Sequence, residues 1–115
     1  MKPGNFIGIL FHSRTQAHLF HLKTNNYSIH KTLDNYYKSI IPLVDKFAEA
    51  YQAEHGLITN YSNYPLLQDT KKMVYYFEGL LTKIKQFKIK DTYLQNIVDS
   101  IYDLIYSTLY LLTLH

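Results

Sequence analysis

The chain has 115 residues, 47% of them hydrophobic, which is enough for one small domain with a core and too apolar for intrinsic disorder. It contains no cysteine, so disulfides, thiolate zinc sites and cysteine nucleophiles are excluded, and a metal would bind through imidazole, carboxylate or water. The net charge of +3 rests on lysine, since Arg14 is the single arginine, and one guanidinium equips a chain poorly for specific nucleic-acid readout.

The opening Met1-Lys2-Pro3-Gly4 leads into no apolar run with a small-residue cleavage site, and no later stretch stays free of charge for about 20 residues. A soluble cytoplasmic protein with no membrane partner is expected. Pro3 and Gly4 mark the entry to a first helix over about 5–23, broken by Thr24-Asn25-Asn26. Ser28 is the expected cap of a second helix that runs to His55 and stops at Gly56. Its expected core stripe is Leu33, Tyr37, Ile40, Val44, Phe47 and Tyr51, with Pro42 bending it near the middle. His55 would then act as a favourable charge at the helix C-terminus.

A loop over 56–65 is followed by a third helix over about 66–85, interrupted by Gly79, with Val74, Phe77, Leu80, Leu81 and Ile84 as apolar positions. Lys83, Lys85, Lys88 and Lys90 crowd the next turn and imply only weak, salt-sensitive attraction to polyanions. Asp91 is the expected cap of a fourth helix carrying Leu94, Ile97, Val98, Ile101, Leu104, Ile105 and Leu109. His115 is terminal and has no assigned role. Four amphipathic helices with short connections point to an all-α, up-and-down four-helix bundle.

The second helix carries a second pattern. At 100° per residue, His30, Asp34, Asp45 and Glu49 fall at about 0°, 40°, 60° and 100°, on one stripe with Ile41 in its middle. At about 1.5 Å rise per residue the His30/Asp34 pair lies roughly 22 Å from the Asp45/Glu49 pair, too far for one ion. Two copies packed antiparallel about a two-fold axis would bring the pairs together and make two equivalent sites per dimer. An exposed Ile41 between the pairs is easiest to explain if that face meets a partner.

With His18 added, the segment resembles the ferritin-like Dps proteins (DNA-binding proteins from starved cells). Their ferroxidase signature places two histidines, two aspartates and a glutamate at the same separations. The resemblance covers about 40 residues. Small tailed-phage proteins of unknown function look similar over a longer stretch, through His18-Leu19-Phe20-His21-Leu22-Lys23-Thr24 … and Asp45-Lys46-Phe47-Ala48-Glu49-Ala50-Tyr51-Gln52. The resemblance implies a ferritin-like bundle with a metal site of His18, His30 and Asp34 from one chain and Asp45 and Glu49 from its two-fold mate. It implies iron, with manganese or zinc as alternatives, and possible ferroxidase chemistry in a homodimer or larger oligomer. Three features differ from that family: Leu19 stands where a tryptophan is usual, the chain is shorter, and no long Lys/Arg-rich tail is present.

Two other readings remain open. Lysines, histidines and tyrosines at a subunit interface could hold a small anion such as a nucleotide without catalysis, a plausible role for a phage-like protein. Arg14 and His21 form an Arg-x6-His pattern that resembles the catalytic motif of the helical HEPN ribonucleases. His21 itself, three residues after His18, is either a further metal donor or a partly buried helix histidine.

Overall fold

The computed structural model describes residues 1–114, so His115 lies outside the described residues. They form four α-helices, α1 (Pro3–Lys23), α2 (Tyr27–His55), α3 (Met73–Ile84) and α4 (Thr92–Leu112), with a 3-10 turn at Thr70–Lys72 and no strand among them. The all-α expectation holds. None of these helices is long and apolar enough to cross a membrane.

The helices pack in a ring: α1 against α2, α2 against α4, α4 against α3, and α3 against α1. A single core fills the ring, with Phe6, Phe47 and Phe87 clustered at one end and Tyr36 edge-on to Phe77 farther along. Tyr36 is fully buried, and its hydroxyl meets Ser13 Oγ at 2.7 Å while Ser13 Oγ donates to the Leu10 carbonyl, so the one polar atom is satisfied. The core position on α2 is therefore Tyr36 and not Tyr37, which is half-buried at the edge of the α1/α2 contact. The helix runs unbroken through Pro42.

Helix α1 has almost no amphipathic asymmetry, because it is buried on several sides at once. The second to third helix connection is the cause, and it is not short. Residues 56–69 leave the end of α2 and travel back along α1: the Ser62 amide donates to the Gly4 carbonyl, His12 meets the Pro65 carbonyl, and the Gln16 side chain pairs with both backbone groups of Leu67. A Cβ on Gly4 would collide with the Asn60 carbonyl and one on Gly8 with the Ser62 backbone, so these two glycines let the crossover lie directly on the helix. The expected loop over 56–65 is extended to residue 69, and the expected helix start near Leu66 is corrected to Met73, after the 3-10 turn. Residues 66–69 are held against α1, and Asp69 then accepts from the Lys71 amide to open the 3-10 turn.

The crossover spans the length of the bundle, so α3 starts at the same end as α2. Helices α2 and α3 run one way, and α1 and α4 the other, so the expected up-and-down order is corrected: the long crossover makes the second and third helices parallel. Three smaller expectations change. Asn26, not Ser28, caps α2, accepting from the Ile29 amide at 3.0 Å. Asp91 precedes α4 without a side-chain capping bond, because its Oδ2 instead meets His55 Nε2 at 2.8 Å and ties the end of α2 to the start of α4. Gly79 does not interrupt α3.

Two glycine substitutions should move stability in opposite directions. Gly8→Ala adds a methyl against the Ser62 backbone and is expected to cost about 1–3 kcal/mol by overpacking. Gly79→Ala has open space around the new Cβ and a helical backbone, and should gain about 0.5–1 kcal/mol. Urea denaturation of the two variants checks the pair of signs.

Candidate functional site

The three-residue connection 24–26 folds α2 back on α1, so the last turns of α1 face the first turns of α2. His18 and His21 project from α1, and His30, Asp34, Tyr37 and Lys38 from α2, into one seam. The His21 and His30 rings stack with centroids 3.7 Å apart and 19° between planes. Each is anchored to the other residue's main chain, His21 Nδ1 on the His30 carbonyl at 2.8 Å and His30 Nδ1 on the His21 carbonyl at 2.9 Å. A carbonyl only accepts, so both Nδ1 atoms carry hydrogen, and in the neutral ring the lone pair is left on Nε2.

The second half of the seam is built on Tyr37. His18 stacks on its ring at 4.2 Å and 12°, the Arg14 guanidinium lies 5.8 Å from the ring centroid, and the phenol donates to Asp34 Oδ1 at 2.8 Å. Lys38 Nζ donates to Asp34 Oδ2 at 3.2 Å. The Tyr37 hydroxyl and then Lys38 hold the Asp34 carboxyl below the usual carboxylate range, so it is ionised at neutral pH. The same hydrogen bond pushes the Tyr37 phenol up. Partial burial, followed by the nearby Arg14 guanidinium and the His21 ring, lowers the His18 imidazole below its ordinary 6.5, against an opposing pull from Asp34. His18 is thereby kept as a neutral nitrogen donor.

Of the five expected ligands, the structure brings His18, His30 and Asp34 to this seam and leaves Asp45 and Glu49 exposed farther along α2. Among the described residues, no three His, Asp or Glu side chains of one chain converge closely enough to hold an ion. Two half-buried imidazoles and an ionised carboxylate share the seam, and one imidazole has its Nδ1 fixed on a carbonyl, as metal-ligating histidines commonly do. Ile41 is half-buried and packs against the core, so it is not the exposed residue expected between the ligand pairs.

Sequence reasoning passed over Tyr37 as the organiser of the seam. The signal was present, since Asp34 and Tyr37 are three residues apart on one helix face. For His21 the buried-histidine alternative describes its position, at 8% exposed, and Arg14 lies two turns earlier on α1 over the Tyr37 ring.

The fold and seam define a small all-helical protein with imidazole, phenol and carboxylate groups concentrated where two antiparallel helices meet. The chain belongs to DUF5856, a family of unknown function, whose model matches residues 21–112. That segment includes His30, Asp34, Asp45 and Glu49 but begins after His18. The chain is also 29% identical, over 98% of its length and 89% of the relative's, to the uncharacterized 14.6 kDa protein in the mobD-ri intergenic region of Enterobacteria phage T4. No solved structure matches the chain.

The His18 environment makes a signed prediction. Arg14→Gln should raise the His18 titration midpoint and Asp34→Asn should lower it, followed by NMR of the imidazole carbons. Because the folded value is depressed, the His18 contribution to stability is complete above the unfolded value of 6.5 and is lost as pH falls through the folded value. A midpoint that falls on removing Arg14 would show that the guanidinium does not act on this ring.

Proposed function

We propose that this protein is a ferritin-like, Dps-like oligomer that binds a divalent metal, iron in the first place and manganese or zinc as alternatives, at a two-fold interface between second helices. His18, His30 and Asp34 of one chain would supply one half of each site, and Asp45 and Glu49 of a second copy the other. The observation that carries this reading is the gathering of His18, His30 and Asp34 on one seam, with His30 Nε2 left as a lone-pair donor and Asp34 ionised. A bundle with a single long crossover between its second and third helices adds support, since ferritin-like folds are built that way.

Imidazole and carboxylate donors suit iron, manganese and zinc. A bound iron with an open coordination position would supply ferroxidase chemistry. The residues of this chain would orient the donors: the His21 carbonyl fixes the His30 ring, and Tyr37 and Lys38 keep Asp34 charged and aimed. The phage T4 relative supports a place of action in the cytoplasm of an infected cell.

Protein purified without chelator should carry metal in elemental analysis and scatter light as a dimer or larger assembly. His30→Ala and Glu49→Ala should each lose most of that metal. Unfolding the two variants together and reassembling them should restore part of it, because one site of the mixed dimer collects both substitutions while the other keeps all five donors. A demonstrated heterodimer that recovers no metal rules out the shared site.

A further inference from the structure

A groove of about 600 Å³ opens on the opposite side of α1 from the histidine seam, between α1, α3 and the crossover. None of the five expected metal ligands lines it, so its chemistry is independent of any metal at the seam. The groove is walled by rings, with Tyr64 from the crossover and Tyr75 and Tyr76 from α3. His12 fixes two of its walls. The Pro65 carbonyl can only accept, so His12 Nε2 donates to it at 2.9 Å, and Nδ1 then accepts from the Tyr76 hydroxyl at 2.8 Å. Burial pushes the Tyr76 phenol up, which keeps it a donor. With both His12 nitrogens spent, crossover and α3 are joined through one imidazole, and the trough between them is preformed.

The charge of the groove has one sign. Lys83 is its single charged lining residue, no Asp or Glu lines it, and Lys83 makes no ion pair among the described residues. Its ammonium rests instead 5.7 Å from the centre of the Tyr64 ring. An anion would draw Lys83 off that face by a stronger, charge-assisted bond and expose the ring for stacking. Gly79 gives the space: a Cβ there meets nothing within 4 Å, so the α3 wall is open where a side chain would otherwise project. The volume falls within the range of small-molecule sites.

We propose that this groove binds a planar aromatic ligand bearing one anionic group, of nucleoside monophosphate size, with the ring stacked among the tyrosines and the phosphate on Lys83. The four ribonucleoside 5′-monophosphates, the matching nucleosides and inorganic phosphate, titrated separately into the full chain by calorimetry, test it. At least one monophosphate should bind saturably, and its nucleoside and inorganic phosphate should each bind about tenfold more weakly or worse. Lys83→Gln should weaken that nucleotide about tenfold while leaving its nucleoside unchanged. Gly79→Leu should fill the trough and abolish binding without lowering the melting temperature, because leucine is the better helix former. No binding of any monophosphate at millimolar concentration, or binding that survives Gly79→Leu, overturns the proposal. Binding that is insensitive to Lys83→Gln overturns the assignment of the anion.

Discussion

The structure depends on the direct contact between the crossover and α1. Laying irregular backbone on a helix leaves amides and carbonyls that must find partners, and α1 supplies them one by one: the Gly4 carbonyl for Ser62, His12 for Pro65 and the Gln16 amide for both polar groups of Leu67. The close approach is possible because positions 4 and 8 carry no side chain. Once the crossover is in place, α1 is covered on nearly all sides, α3 is delivered to the same end of the bundle as α2, and the groove acquires its walls.

Seam and groove use similar residue types for different ends. In the seam, imidazoles are fixed by carbonyls with their second nitrogen free, and a carboxylate is kept ionised by a phenol and an ammonium. In the groove, the imidazole is spent entirely on holding walls, and the free chemistry is ring faces and one ammonium. A histidine is thus a candidate donor in one place and a structural strut in the other, and the difference is read from its partners.

The four helices were legible because their apolar spacing is periodic and their breaks, Thr24-Asn25-Asn26 and Gly56, are strong. The path of the crossover was not, since the composition of residues 56–65 marks a loop without saying where it runs, and the apolar pair Leu66-Leu67 reads as part of the third helix. Its trace in the sequence is the pair Gly4 and Gly8, one turn apart on the one helix with no clear polar face. Adjacent Tyr36 and Tyr37 differ by only 100° around α2, so a stripe drawn through either fits the pattern, and only packing against Ser13 and Phe77 selects Tyr36. That His18, His30 and Asp34 share one seam was legible for a simple reason: a three-residue turn forces them to the same end of an antiparallel pair. Asp45 and Glu49 lie exposed farther along the same helix, about three and four turns beyond the residues gathered at the turn.

The Gln16 clamp reaches across 51 positions of sequence, and the His12 bond to Tyr76 across 64. Helical proteins usually fold fast because their contacts are local. Here the helix nearest the N-terminus cannot be fully desolvated until a segment some fifty residues later has been laid along it, so loop closure comes before much of the burial that rewards it. The chain should therefore fold more slowly than other helical domains of its size. During synthesis α1 and α2 would emerge as a hairpin with one apolar flank uncovered, waiting for the strap that completes it.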